Sequence, residues 1–224
     1  MNVLILAAGK KDKGMHCPAC LTLFEDKLLI EKILNQVSVF KDVNIITTIN
    51  LNENKYFHID SLLKNINNAV KIVYINDLVK GAACSALLAS HLMENEDLLI
   101  LNSDEFIRYN FADAVNHFRD NNFDAGVITF RSIHPKYSYV DINDLGLVIE
   151  AREKNPISAH ATAGFYWFNS KKLFIDNAED MIMKSNDVQD KYYICPIFNE
   201  LILKGLKIGS IEIDSKDFIP FKQL

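Results

Sequence analysis

Two apolar segments end in residues that could do chemistry. Leu98-Leu99-Ile100-Leu101-Asn102-Ser103 leads into Asp104, and Val3-Leu4-Ile5-Leu6-Ala7-Ala8-Gly9 leads into Lys10, Lys11 and Lys13. A carboxylate at a strand end suits a hard divalent cation, which takes one or two carboxylates and fills its other positions with water and phosphate oxygens. A glycine followed by a lysine-rich loop offers backbone amides and positive charge to a phosphate. A phosphate cradle beside a metal-holding aspartate suits nucleotide chemistry. Each feature also has a plainer use: Asp104 can begin a turn or cap a helix, and the lysines can form a solvated loop.

Two familiar phosphate loops do not match. GxGxxG fails because Lys10 and Lys11 follow Gly9. GxxxxGK[ST] half matches, since Gly9 and Gly14 have the spacing but Met15 and His16 replace the lysine and hydroxyl residue. Without those two groups a P-loop kinase is disfavoured. Cys17 and Cys20 form a CxxC pair, but only His16 stands nearby as a further zinc ligand, and a structural zinc needs four. Leu21-Thr22-Leu23 reads as extended rather than as the helix that follows a thioredoxin-type pair. The cysteines are expected as thiols.

These residues need elements to hold them. Apolar runs alternate with helical patterns. Strands are expected at Val3–Ala7, Val43–Ile49, Val70–Ile75 and Leu98–Leu101, and helices at Leu28–Val39, Phe57–Ile66, Ala83–Met93 and Phe111–Arg119. That β-α alternation implies a parallel sheet with right-handed crossovers. The later part is expected to hold strands at Ala125–Phe130, Leu147–Glu150, Ala163–Phe168 and Lys207–Ile213, with helices at Lys171–Met183 and Ile197–Leu203. No linker, repeat or low-complexity tract divides the chain. The expectation is an α/β fold in one domain, 1–224: a nucleotide-binding half (1–123) and an acceptor-binding half (124–224) around one sheet.

The 224 residues are 49% hydrophobic, enough for a full core. The net charge of −5 argues against nucleic acid as a partner, so the local lysines suit a small anion. No apolar run is long enough to span a bilayer and no signal peptide is evident, so a cytoplasmic location without membrane attachment is expected.

With these motifs in order, the chain resembles the nucleotidylyltransferases that make sugar nucleotides, together with the phosphocholine cytidylyltransferases. Leu6-Ala7-Ala8-Gly9-Lys10 matches their first strand and loop, and Pro18 with Leu28–Leu34 matches the segment that follows. Lys80-Gly81-Ala82-Ala83-Cys84-Ser85 is similar to their base-binding segment, and Leu101-Asn102-Ser103-Asp104 to their metal-binding strand end. Gly146-Leu147-Val148 and Glu153-Lys154-Asn155-Pro156 resemble the acceptor-binding region, and Ala163–Phe168 the strand behind it. The Lys80–Ser85 and Asn102–Glu105 segments look closest to bacterial capsule-locus members. The chain departs from the pattern at Pro18-Ala19, where the family carries Pro-Lys; Lys11, Lys13 or Lys27 is left to supply that charge.

The resemblance implies a mixed, mostly parallel Rossmann-like sheet with helices on both faces. It also implies magnesium-dependent transfer of a nucleotidyl group, from CTP rather than UTP by likeness alone, to a phosphorylated small molecule. Asp104 and Lys154 are the implied catalytic groups: Asp104 for the metal, Lys154 for the acceptor phosphate with Arg131 and Arg152 nearby. Leu6, Ala7, Ala8, Gly9, Lys10, Lys11, Lys13, Lys27, Gly81, Ala82, Ser85 and Asn102 are implied nucleotide contacts. A second metal carboxylate is expected near the C-terminus, Asp214 before Asp217. Ser85 and Gly81 could equally serve helix capping, and the cations could be surface charges. The lost Pro-Lys lysine leaves a non-catalytic nucleotide sensor as the rival reading.

Overall fold

In the computed structural model, which describes residues 1–11 and 14–221, the first apolar run forms β1 (Asn2–Ala7). Lys13 lies outside the described residues. A short hairpin, β2 (Leu23–Phe24) and β3 (Lys27–Leu28), leads into α1 (Leu29–Val37). Then come β4 (Asn44–Asn50), α2 (Leu51–Phe57), α3 (Ile59–Ile66), β5 (Lys71–Ile75) and α4 (Ala82–Ala89). The strand β6 (Leu98–Asn102) is followed by β7 (Glu105–Ile107) and α5 (Phe111–Asp120). The later part comprises β8 (Ala125–Arg131), β9 (Ser138–Ile142), β10 (Val148–Glu153) and β11 (His160–Phe168). It ends with α6 (Lys171–Met183), α7 (Ile197–Leu203), β12 (Ile208–Ile213) and β13 (Phe218–Pro220).

Among the described residues nine strands form one sheet, and both halves of the chain contribute to it. Strands β5, β4, β1 and β6 lie side by side and parallel, as the β-α alternation requires. The sheet then becomes mixed: β11 runs antiparallel to β6 and β8, and β12 pairs parallel with β8. A register shift in β11 between Thr162 and Tyr166 lets the first residues of that strand pair with β9.

The alternation of β1 divides the core. Val3, Ile5 and Ala7 face α1, α3 and α5, whereas Leu4 faces α4, α6 and α7. Each fully buried aliphatic or aromatic side chain contributes about 1.5–3 kcal/mol, so helices on both faces are what make a central parallel sheet stable.

Several expectations need correction. The helix expected at Leu28–Val39 is shorter, because Leu28 is taken into the hairpin with Leu23. The helix expected at Phe57–Ile66 is two helices, broken at His58 with φ 49°, the first capped by the Asn50 side chain. Strand β9 was not expected; Tyr139 and Val140 are both buried in it. Ala19–Leu21 is a turn of 3₁₀ helix, so the stretch after the CxxC pair is extended only from Thr22. No helix among the described residues is long and apolar enough to cross a membrane.

Candidate active site

The parallel strands end along one edge, where open α/β sheets bind ligands. The Ser103 hydroxyl donates to the Leu6 carbonyl at 2.8 Å. That bond ties the end of β6 to the end of β1, so Asp104 is held beside the loop that begins at Ala7. The Asp104 carbonyl in turn accepts from the Phe221 N–H at 2.8 Å. Cys20, 3% exposed, lies within the field of the Asp104 carboxylate. Burial first, then Asp104 and Cys17, push its thiol up to about 12. The chain after the basic loop therefore passes near Asp104. All four cysteines are free.

A Cβ added to Gly9 would meet no other described residue within 4 Å, so among the described residues nothing fills the volume beside it. Lys10 reaches across to Asp77, Nζ to Oδ2 3.1 Å. Asp77 also accepts from Asn50 Nδ2 at 2.9 Å and Asn52 Nδ2 at 3.0 Å. The Asn50 bond, then Lys10 and Asn52, hold its carboxyl below the usual aspartate range. The Lys11 N–H donates to Glu53 Oε1 at 3.3 Å. The basic loop is thus latched to α2 and to the turn after β5. Lys27 instead pairs with Glu31 one helical turn away at 2.8 Å. Asp77, Asn50 and Glu53 escaped the sequence reading because their role depends on parallel neighbours far apart in the chain.

The segment expected to hold the base is built against the chain itself. Gly81 has φ +93°, and a Cβ there would collide with the Tyr192 carbonyl oxygen. Its missing side chain accommodates protein backbone, not only a ligand. The Ser85 hydroxyl is buried and donates to the Gly81 carbonyl at 3.1 Å. By that bond Ser85 serves its own helix. Ala82 opens α4.

Asn102 also has a protein partner. Its Nδ2 donates to Glu105 Oε1 at 2.7 Å, and the Glu105 carboxylate occupies the space a Cβ on Gly164 would need.

In the region expected to take the acceptor, β10 ends at Glu153 and Lys154 follows it. Ser138 of β9 stands opposite and donates its hydroxyl to Glu153 Oε2. Lys154 adopts φ 54°. Its ammonium lies 3.2 Å from the Tyr193 hydroxyl and 3.4 Å from Gln189 Oε1, and over the Tyr193 ring. Arg131 pairs with Glu212 at 2.9 Å and Arg152 with Glu150 at 2.7 Å. Gly146 is a hairpin-turn glycine, φ +75°, at the far end of β10; Ser138 is the residue beside Glu153 that the motif reading missed.

Asp214 follows β12, which β11 and β8 separate from β6 in the sheet. Its carboxylate caps the next turn and pairs with Lys216 Nζ at 3.0 Å. Asp217 lies opposite Arg108, whose N–H donates to its carbonyl at 2.8 Å, about four residues or ~13 Å along the ladder from Asp104. Among the described residues no three His, Cys, Asp or Glu side chains form a metal-holding group. Asp104 suits magnesium, which binds through one or two carboxylates and takes its remaining oxygens from phosphate and water.

The chain has relatives of known structure. It superposes on a nucleoside-diphosphate-sugar pyrophosphorylase from Vibrio cholerae with a TM-score of 0.82, at 21% identity over 98% of this chain and 95% of that one. An inositol-1-phosphate CTP transferase from T. maritima gives 0.72, at 13% identity over 96% and 86%. A UDP-glucose pyrophosphorylase complexed with UDP-glucose gives 0.73, at 16% identity over 95% and 90%. Likenesses at these identities show a shared fold. No curated protein matches the sequence. The nucleotidyl transferase family model matches residues 15–201. The chain belongs to the nucleotidyl transferase family.

Proposed function

We propose that the chain transfers CMP from CTP to a phosphorylated small molecule with release of pyrophosphate. We take the acceptor to be L-glutamine phosphate, giving CDP-L-glutamine for capsular phosphoramidate, in the cytoplasm. The likeness of Lys80–Ser85 and Asn102–Glu105 to capsule-locus members supports that choice. Residues 1–123 take the nucleotide and 124–224 the acceptor, within one domain.

An acceptor phosphate oxygen forms a bond to the α-phosphorus, and the bond from that phosphorus to its bridging oxygen breaks, the electron pair leaving with pyrophosphate. The acceptor is already anionic near neutral pH, so the chain need supply no base. Its task is to bring two anions together in line and to offset their charge. Asp104 would hold magnesium, which supplies charge neutralisation at the triphosphate. The loop bearing Lys10 and Lys11 receives the phosphates, and Lys154 receives the acceptor.

The observation that carries this reading is the state of Lys154. Lys10, Lys27, Arg131 and Arg152 each have a carboxylate partner. Among the described residues the Lys154 ammonium meets the neutral oxygens of Gln189 and Tyr193. Its charge is left for an anion.

Pyrophosphate release tests the proposal, with each of CTP, UTP, ATP and GTP against L-glutamine phosphate, phosphocholine and sugar 1-phosphates. The expected best pair is CTP with L-glutamine phosphate. Preference for another acceptor would move the reading to a phosphocholine or sugar-1-phosphate nucleotidylyltransferase, the latter favoured by the Vibrio cholerae likeness. No release from any pair, despite nucleotide binding, would leave a nucleotide sensor.

A further inference from the structure

Residues 188–193 touch both substrate regions at once. On one side, Tyr192 lies against Gly81: its N–H donates to the Lys80 carbonyl at 3.0 Å, and its carbonyl accepts from the Ala83 N–H at 3.0 Å. Lys80 Nζ reaches Asp190 Oδ1 at 3.0 Å. On the other side, Gln189 and Tyr193 hold the Lys154 ammonium. Tyr192 and Tyr193 are neighbours, so a single peptide unit separates the group seated on the 80–83 turn from the group that aims Lys154.

This segment is built to hold its shape. Val188 and Lys191 exchange backbone hydrogen bonds at 2.9 and 3.2 Å. Gln189 and Asp190 take the left-handed conformation that closes the turn, with φ 53° and 64°. Ile194 and Cys195, both buried, anchor its far end in the core. A displacement at Tyr192 therefore passes to Tyr193 rather than dissipating in a slack loop.

We propose that the 188–193 strap couples the two substrate sites, with Gln189 and Tyr193 as positioning residues that set Lys154 for the acceptor phosphate. The proposal rests on the nucleotidyl-transfer reading. A nucleotide at the 80–83 turn fixes Tyr192, and through it the tyrosine that holds Lys154, so the acceptor site is organised once the nucleotide is in place. Linkage makes the effect mutual: acceptor phosphate tightens nucleotide binding by the same factor.

Two measurements test this. In the first, hydrogen exchange is followed at 80–84 and 188–194 without ligand, with CTP and magnesium, and with inorganic phosphate. CTP is expected to slow exchange in both segments; protection of 80–84 alone would overturn the coupling. In the second, Tyr193→Phe keeps the ring but removes the hydroxyl from Lys154. The expected result is an acceptor KM raised about ten-fold, the scale of one hydrogen bond to a charged group, with the CTP KM and kcat little changed. An unchanged acceptor KM, or both KM values rising together, would overturn the positioning role. Pyrophosphate release with an unresponsive strap removes the coupling and leaves the transfer reading intact. A responsive strap with no pyrophosphate from any acceptor does the reverse.

Discussion

The Ser103 hydroxyl donates to the Leu6 carbonyl at 2.8 Å, joining the two strand ends that frame the candidate site. Asp104 follows directly, so this bond sets where its carboxylate stands relative to the Ala7–Gly9 turn. Asp104→Asn is expected to reduce pyrophosphate release about 10²–10³-fold, the range for losing one transition-state electrostatic contact, with the circular dichroism spectrum preserved. Near-normal turnover would remove Asp104 from the mechanism. Ser103→Ala should cost about 1 kcal/mol of stability, read from its urea midpoint.

Lys154→Ala is expected to weaken acceptor use by about 10–100-fold, the value of a hydrogen bond to a charged group. Nucleotide binding, followed by calorimetry with CTP and magnesium, should be preserved. An acceptor KM equal to that of the wild type would show that the ammonium meets no phosphate.

Gly164 has φ +69°, and Glu105 occupies the space beside its Cα. Gly164→Ala should therefore destabilise the fold by about 1–2 kcal/mol from backbone conformation alone, with an added cost as Glu105 and its Asn102 partner shift. Denaturant titration measures this. A loss confined to about 1–2 kcal/mol would mean that the Glu105 side chain relocates freely.

Cys20 gives a stability effect at alkaline pH. Its thiol is held up to about 12 in the fold, against 9.0 ordinarily. Below 9.0 both folded and unfolded chains keep the proton, and the contribution is complete. As pH rises from 9.0 towards about 12 the unfolded chain gives up its proton first, so stability declines and the contribution is lost. Urea midpoints across that window should fall more steeply for the wild type than for Cys20→Ala. Parallel curves would show that Cys20 does not titrate differently in the two states.

The parallel half of the fold was legible because its strands are continuous apolar runs and its helices carry one apolar face, patterns set by local sequence. Strand β9 was not: Ser138–Ile142 is short and mixed, and its pairing partners are β10 and the start of β11. Asp104 and Lys154 could be proposed because each follows a recognisable strand. Asp77, Ser138 and Tyr193 could not, since their partners Lys10, Glu153 and Lys154 become neighbours only through sheet order and a strap. Asp214 also follows a strand, but strand order along the sheet, invisible in the sequence, puts that strand on the far side of β11 and β8.

Lys10 already has a counter-charge in Asp77. Any anion reaching this loop therefore gains the ammonium by exchange rather than by capture, and the carboxylate it displaces stays behind, fixed by Asn50 and Asn52. Added salt weakens the old pair and the new one together, so the ionic-strength dependence of anion affinity should be shallower than a simple tally of lysines implies.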